Sequence, residues 1–313
     1  MSVCPIRTDD LEPHTREAWP LPAQGRTAER WAALTALGEQ DLPLAKLVEP
    51  HHDAAAILAD LGGPLPASDA TWAVWAAEPP FAVLEAHESD GCWTLSGRKA
   101  FCSGAEVASH AIVTARTPDG SRLFAVDMLG PGIAPDAEAP PWAGPGMARA
   151  ATLTMSFDTV AARPVGAAGD YTSRPGFWWG AIGIAAIWLG GARGVARPLE
   201  ASSARLDAHG LAHLGAVRAE LDSAQLMLEA VARRADHDQL GTSEVERLAL
   251  VVRDRVSAVV DTVIERVGRA LGPGPLAFDD DHAARVADLQ VFVRQHHAER
   301  DQEQLGAWGR DDG

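Results

Sequence analysis

The spacing of apolar residues changes near residue 170, and only a few folds can accommodate such a chain. From Ala73 to Pro164, short apolar runs alternate with turn residues, which is typical of β-strands. From Gly176 onward, apolar residues recur every three or four positions, which is the repeat of an amphipathic helix. The clearest stripe consists of Leu248, Val251, Val252, Val256, Val259, Val260 and Val263.

The middle of the chain predicts a small antiparallel β-barrel or sandwich. Two turns, Ser89-Asp90-Gly91 and Pro118-Asp119-Gly120, separate predicted strands, because glycine and aspartate accept the backbone angles of tight turns. A loop rich in proline and glycine, Pro131–Gly146, follows them. The predicted strands are Phe81–Ala86, Cys92–Leu95, Ala111–Ala115, Leu123–Asp127 and Ala151–Phe157.

Helices are predicted on both sides of this β region. Residues 1–26 contain four prolines and predict an extended arm. Two helices are predicted after it, over Thr27–Leu37 and Leu42–Leu61. The second is expected to end at Gly62-Gly63-Pro64, which Pro66 follows. The C-terminal part predicts a four-helix bundle. Its helices are expected at 176–207, 211–239, 243–271 and 282–306. The prediction is thus a multidomain α+β chain, with a short N-terminal arm and helices (1–70), a β-barrel domain (71–170) and a helical bundle (171–313).

Charge and composition exclude several classes of protein. The 313 residues carry a net charge of −16, and no segment has the basic stripe that nucleic acid requires. Pro175–Ala192 has eighteen residues without a charge, at the lower edge of a membrane-spanning length, but its five glycines favour a buried core helix. Three scattered cysteines and an acidic N-terminus without an apolar run predict a cytoplasmic protein without a signal peptide.

The most distinctive motif lies in the β region. No phosphate-binding loop and no GxGxxG turn between a strand and a helix is present. Trp93–Ala105 (WTLSGRKAFCSGA), however, resembles the W-x-L-x-G-x-K-x-[WF]-x-[ST]-x-[AG] segment of acyl-CoA dehydrogenases. Ala77-Glu78-Pro79 stands where that family has its TEP turn, and Gly146-Met147 and Thr152–Phe157 resemble its last β segment. The resemblance covers roughly residues 40–306.

This resemblance implies FAD, bound without a covalent link between the β domain and the bundle. Ser103 matches the family's Ser/Thr, whose hydroxyl lies near flavin N5, where a donor can stabilise charge. Phe101 matches the aromatic residue beside the flavin ring. Ser103 could instead be an ordinary turn residue, and Phe101 a side chain of the barrel core.

Four residues of the helical part match, less closely, the family's contacts to the FAD pyrophosphate. Arg205 lies near the arginine of the family's ERxxFG run, although the glutamate is missing and the run is one residue longer. Arg269 replaces the glutamine of Q-x-L-G-G-x-G, and Gly272 and Gly274 fall in the glycine turn that follows. An arginine could also meet a phosphate. Both arginines could instead be solvated charges at helix ends, which is the commoner fate of exposed arginines.

The family's catalytic glutamate has no counterpart here. Counting eight residues from Asp288 leads to His296, and at the alternative place only Glu200 is near. Val286, Leu289, Val293, His296 and Arg300 follow steps of three and four, which places His296 on a core-facing stripe. Histidine titrates near neutrality, so His296 is the candidate base or donor. The alternative is a hydrogen-bonded core histidine, or a residue at the end of the bundle that pairs with Glu299 or Glu303. No metal site is predicted, since His209 and His213 lack a third ligand.

Three functions follow from these residues. The first is an FAD-dependent, acyl-CoA dehydrogenase-like oxidoreductase that acts on the CH–CH bond of an acyl thioester or a related small molecule, with hydride transferred to flavin N5 and an unknown electron acceptor. The second is a flavin-dependent monooxygenase of the same fold, because those relatives also lack the glutamate and several have a histidine near that place. The third is an inactive structural or partner homologue. A homodimer or homotetramer is expected from the resemblance, with no membrane span. The N-terminal region is shorter than the family norm.

Overall fold

A computed structural model describes residues 4–63 and 70–309 of the chain. The predicted helix end at Pro64 and Pro66 lies outside these residues. Contacts divide the chain into two compact units. Among the described residues, the first unit falls within Met1–Trp19, Lys46–Gly144 and Ala148–Phe177, and the second within Pro20–Ala45, Pro145–Met147 and Trp178–Gly313. The predicted N-terminal region is thus divided between the units, and the three-domain division stays a prediction.

The first unit contains a closed barrel. Its strands are β1 (Trp72–Trp75), β2 (Leu84–Ser89), β3 (Cys92–Cys102), β4 (His110–Thr117), β5 (Gly120–Asp127), β6 (Ile133–Pro135) and β7 (Leu153–Val165). Five of them close a ring in the order β4-β2-β3-β7-β5, because β5 also pairs with β4. β1 adds to β4, and β6 adds to β7.

The five predicted strands all exist, with shifted or longer bounds, and each predicted turn joins two of them. At the first turn, Asp90 and Gly91 have φ of 53° and 77°, the pair of positive angles that a two-residue hairpin turn needs. β1 was missed, and the loop predicted at Pro131–Gly146 contains the short strand β6. The sheet is also not wholly antiparallel, since β4 runs parallel to β1 and to β2.

The barrel closes around apolar side chains that alternate along the strands. Leu95, Val113 and Phe124 are fully buried there, together with Met155 and Phe157. Gly97 lets β3 pass close to a neighbouring loop, because a Cβ at this position would collide with the carbonyl oxygen of Val83, and its φ is +123°. The apolar residues that alternate along β3 determine which side of the strand faces the core.

The helices number ten among the described residues. They are α1 (Thr8–Thr15), α2 (Thr27–Gln40), α3 (Leu42–Leu61), α4 (Asp170–Ser173), α5 (Pro175–Ala201), α6 (Ala208–His237), α7 (Thr242–Leu271), α8 (Gly274–Phe278), α9 (Asp280–Phe292) and α10 (Glu299–Ala307). The predicted extended arm is wrong in part, because it contains α1. The Asp10 carboxylate accepts from the Arg7 backbone N–H, and Leu11 is buried, so this short helix is held at both its start and its face.

The second unit is helical, as predicted. α5 approaches α2 closely, since a Cβ on Gly190 would overlap the carbonyl oxygen of Thr35. α5 is the one helix of the described residues with the length and apolar character of a membrane span, and 78% of its apolar window is buried in protein. That burial agrees with the core helix expected from the sequence. Asp236 on α6 accepts from the backbone N–H of Thr27 and so caps the start of α2.

The last predicted helix, 282–306, is interrupted. α9 ends at Phe292, a single 3-10 turn covers Val293–Gln295, and α10 begins only at Glu299. The carbonyl oxygen of Gln295 accepts from the buried Arg253 guanidinium, at 2.7 Å, instead of from a helical N–H. Because the helix stops, the predicted stripe does not continue to Arg300, which is exposed.

Candidate functional site

The end of β3 turns one aromatic ring outward. Phe101 has φ of +59°, and the pairing of β3 with β7 is irregular between Lys99 and Cys102. A bulky residue in this conformation costs about 1–2 kcal/mol. The consequence is that Cys102 points into the core while the Phe101 ring is 51% exposed. The alternative of a barrel-core phenylalanine is therefore wrong.

Ser103 lies just beyond the strand, in a turn that several hydrogen bonds hold in place. Its Oγ is 2.9 Å from Oγ1 of Thr152, and its carbonyl oxygen accepts from Nε1 of Trp75 at 3.0 Å. The backbone N–H of Gly104 donates to the carbonyl oxygen of Ala150 at 2.9 Å. We call Phe101, Ser103 and Thr152 the strand-end site. Sequence reasoning missed Thr152 as a site residue, although it begins a segment that matched the family pattern.

A second exposed aromatic ring stands beside the strand-end site. Phe81 is 65% exposed, and its ring centroid is 6.3 Å from that of Phe101 at an interplanar angle of 69°. An edge-to-face pair of this kind is favourable, yet both rings keep open surface. Adjacent exposed aromatic rings are typical of a place where a planar or apolar group binds.

Lys99, the lysine of the motif, serves the barrel rather than the surface. Lys99 is buried and donates to the carbonyl oxygen of Thr114 at 2.7 Å and to its Oγ1 at 2.6 Å. Burial lowers the pKa of Lys99 to about 8, opposed by the charge of Glu78. Burial alone would raise the pKa of Glu78, but hydrogen bonds from Ser121 and Thr114 and the charge of Lys99 lower it. Lys99 therefore anchors the strands beneath the site.

The second unit contains the candidate base. His296 follows the 3-10 turn in an extended conformation, and its side chain is only 6% exposed. Its Nε2 lies 3.6 Å from Oδ2 of Asp301 and has no hydrogen-bond partner among the described residues. The core-facing position predicted for His296 is thus what the structure shows, but it arises from a helix break instead of a continuous stripe.

Asp301 is fixed by the residue next to His296. Its side chain is 7% exposed, Oδ1 lies 3.2 Å from Nδ1 of His297, and Oδ2 accepts from the backbone N–H of His297 at 3.3 Å. His297 itself faces solvent. A buried carboxylate held in this way presents its charge to the His296 ring.

Arg253 completes the group, which we call the histidine cluster (Arg253, His296, His297 and Asp301). It donates to the carbonyl oxygens of Ala181, at 3.0 Å, and Gln295, and its guanidinium stacks 4.7 Å above the Trp188 ring. Burial lowers the pKa of Arg253 to about 10, opposed by Asp301. Sequence reasoning missed Arg253 and Asp301. The one sequence signal that pointed to a buried arginine was the position of Arg253 within the apolar stripe of α7.

Burial also lowers the pKa of His296, against the opposing charge of Asp301 and with further lowering from Arg253. Desolvation favours the neutral ring, so His296 is uncharged at neutral pH. A neutral imidazole can take up a proton at its unprotonated nitrogen, and Asp301 would then stabilise the resulting charge.

The residues predicted to contact pyrophosphate all belong to the second unit. Arg205 is exposed in a 3-10 turn before α6, and Arg269 forms an exposed ion pair with Glu265 at 2.6 Å. Gly272 ends α7 with φ of +66°, and Gly274 begins α8. Their role in binding a phosphate stays a prediction. The part of the chain that the structure describes contains no group of three potential metal ligands.

Comparison with known proteins yields similarity in structure but not in sequence. No protein-family model matches the chain, and no curated protein does. KijD3, solved with FMN and dTDP-3-amino-2,3,6-trideoxy-4-keto-3-methyl-D-glucose, aligns with a TM-score of 0.80 at 16% identity, over 99% of this chain and 88% of that chain.

Two further structures represent different reactions. Dibenzothiophene monooxygenase TdsC from Paenibacillus sp. A11-2, also solved with FMN, aligns with a TM-score of 0.76 at 19% identity, over 92% of this chain and 84% of that one. Butyryl-CoA dehydrogenase from Megasphaera elsdenii aligns with a TM-score of 0.77 at 18% identity, over 88% and 80%. The chain therefore has the acyl-CoA dehydrogenase-type fold, with a C-terminal helical region and a closed five-stranded barrel.

Proposed function

We propose that this protein is a flavin-dependent oxidoreductase. The observation that carries the proposal is the strand-end site, where an exposed Phe101 is followed, two residues along the chain, by Ser103, whose hydroxyl is paired with that of Thr152. A flavin needs an apolar surface for its ring system and a hydrogen-bond donor near N5, and these residues supply both. The fold shared with two proteins solved with FMN supports the same conclusion.

A bound flavin would supply a hydride acceptor at N5 and, after reduction, a reagent for dioxygen. Phe101 would cover part of the ring system and exclude water from it. The hydroxyl pair would hold one hydrogen for an external acceptor, because only one of its two hydrogens lies between Ser103 and Thr152.

His296 is the residue that we propose to move a proton. Its neutral ring can take up a proton at the unprotonated nitrogen, and the neighbouring Asp301 carboxylate offsets the charge that this creates. Asp301 and Arg253 act as positioning residues, since Arg253 donates to the carbonyl oxygen of Gln295 at the helix break and Asp301 accepts from the backbone N–H of His297.

Two reaction classes fit this set of residues. Monooxygenation is favoured by the histidine at the place of the family's glutamate and by the fold shared with dibenzothiophene monooxygenase. Dehydrogenation of a CH–CH bond in an acyl substrate, with hydride transfer to N5, is the second candidate. The match of Trp93–Ala105 to the acyl-CoA dehydrogenase pattern and the fold of butyryl-CoA dehydrogenase favour it.

The cofactor is FMN or FAD. FMN needs one phosphate site, whereas FAD needs contacts to a pyrophosphate, for which Arg205, Arg269, Gly272 and Gly274 are the candidates. In the related family a second copy of the chain completes that site, and we therefore propose a homodimer or homotetramer. To identify the cofactor, the flavin is released from the purified protein by heating and is then analysed by chromatography.

The test of function has two arms. The purified protein is loaded with flavin, and acyl thioesters are added without oxygen; bleaching of the flavin absorption would support dehydrogenation. The flavin is then reduced chemically and oxygen uptake is followed with candidate substrates; uptake coupled to product, without bleaching in the first arm, would support monooxygenation. A protein that takes up neither FMN nor FAD would refute the proposal and leave the inactive homologue.

Ser103→Ala tests the strand-end site directly. We expect this variant to keep its flavin but to accept a hydride about 10- to 100-fold more slowly, since one stabilising donor is removed. Stopped-flow absorbance at the flavin band gives the rate. Reduction kinetics equal to those of the unaltered protein would remove Ser103 from the mechanism.

A further inference from the structure

The hydroxyl of Ser103 has an unusual partner. Most of the hydroxyls that form a hydrogen bond in the described part of the chain donate to a backbone carbonyl, as Thr35 does to Trp31 and Ser202 does to Pro198. Ser103 Oγ instead meets a second hydroxyl, Oγ1 of Thr152, at 2.9 Å, and either oxygen can be the donor.

The position of Thr152 is well determined by its surroundings. It follows Ala151, whose φ of +43° turns the chain, and it precedes β7. The hydrogen bond from Gly104 to Ala150 ties this turn to the strand-end site on one side, and that from Ala151 to Ala148 closes it on the other. The two oxygens are thus held together by the backbone on both sides.

A hydroxyl pair can reverse its direction without moving a heavy atom. If Thr152 donates to Ser103, the hydrogen of Ser103 is available for an external acceptor. If Ser103 donates to Thr152, a lone pair of Ser103 is available for an external donor, and the hydrogen of Thr152 is released. The cost is a rotation of two hydroxyl groups.

We infer that Thr152 is a positioning residue that lets the Ser103 hydroxyl serve both redox states of a flavin. This rests on the proposed function. Flavin N5 accepts a hydrogen bond when oxidised and carries a hydrogen after a hydride, with its two electrons, has been added. The pair gives up no proton in this change; it only exchanges donor and acceptor roles. Without Thr152, the Ser103 hydroxyl could still donate to N5 of the oxidised flavin. Beside the reduced flavin, whose N5 carries a hydrogen, the hydrogen of Ser103 would have no acceptor.

The experiment uses the flavin-loaded full chain and three variants. Thr152→Val replaces the hydroxyl with a methyl group of similar size, and Thr152→Ser restores the hydroxyl. Thr154→Val, two residues further along in β7, is the control. The affinity for oxidised flavin is measured by fluorescence quenching and the midpoint potential by equilibration with reference dyes.

We expect Thr152→Val to weaken binding of reduced flavin about tenfold relative to oxidised flavin, which corresponds to a potential about 30 mV lower for a two-electron couple. Thr152→Ser should restore the potential, and Thr154→Val should leave it unchanged. An equal loss of affinity for both forms would indicate a merely structural role and overturn the inference.

Two results separate this inference from the proposed function. If Ser103→Ala shifts the potential but Thr152→Val does not, the inference fails and the flavin site stands. If the unaltered protein takes up no flavin, the proposed function itself fails, and this inference falls with it.

Discussion

The strand-end site and the histidine cluster are built in opposite ways. The strand-end site combines two residues at or just beyond the end of β3 with one residue of a neighbouring turn, is partly open, and uses uncharged hydroxyls. The histidine cluster joins α7 to the segment after α9 and α10, is largely buried, and uses charges. The first can present groups to a ligand with little cost, whereas the second must compensate the desolvation of every charge that it contains.

This difference predicts how each region responds to change. A substitution at the strand-end site should alter flavin properties with little effect on folding. A substitution in the histidine cluster should alter folding unless it leaves the charges balanced.

The largest effect is expected for His296→Gln, because glutamine keeps a polar side chain of similar length but cannot take up a proton. We expect the reaction identified above to slow at least about 100-fold, the range of lost general acid–base catalysis. Flavin content and the thermal midpoint should stay close to those of the unaltered protein. His237→Gln, at an exposed histidine at the end of α6 and outside the cluster, is the control. A fully active His296→Gln would exclude the ring from proton transfer.

Arg253→Met should cost about 3 kcal/mol of unfolding free energy, because the carbonyl oxygens of Ala181 and Gln295 lose their buried donor. Urea denaturation monitored by circular dichroism measures this loss. Arg255→Met, on the same helix but with an exposed arginine, should change stability little. A loss equal in the two variants would mean that the cluster is not a buried network.

Acidification should weaken the histidine cluster in a defined direction. Burial lowers the pKa of His296 below its usual 6.5, so the unfolded chain binds the proton more readily. The stability from this group is present above the unfolded pKa and is lost as pH falls through the folded pKa. Because burial also lowers the pKa of His51 and His282, the measurement is the difference between the unaltered protein and His296→Gln at pH 7.5 and 5. If the stability of both proteins fell equally between pH 7.5 and pH 5, the assignment of this pH dependence to His296 would be contradicted.

The smallest effect on stability is expected for Arg269→Ala, since its ion pair with Glu265 is exposed, and such a pair contributes less than about 0.5 kcal/mol. Its effect on cofactor binding distinguishes the two flavins. If FAD is the cofactor and Arg269 meets its pyrophosphate, FAD affinity falls while FMN affinity does not. If Arg269→Ala left the affinities for FAD and for FMN both unchanged, Arg269 would be a solvated surface charge and not a cofactor contact.

Local patterns made much of the fold readable. The helices α2 and α3, the two turns of the barrel and the long helix α7 follow from spacing and turn chemistry, because these depend on residues close in sequence. The eight-residue helix α1 and the strands β1 and β6 were missed, since segments so short carry little periodic signal, and tertiary contacts hold them.

The sequence by itself determined that a β-barrel precedes a helical region and that Phe101 and Ser103 fall in one motif at a strand end. Only the tertiary structure decided that Phe101 turns outward, that Thr152 meets Ser103, and that the last predicted helix breaks so that His296 meets Asp301 near Arg253. The physical reason is distance along the chain. Periodicity and turn propensity act between neighbours, whereas a buried charge or a shared hydrogen bond is resolved by whichever remote group the fold brings to it.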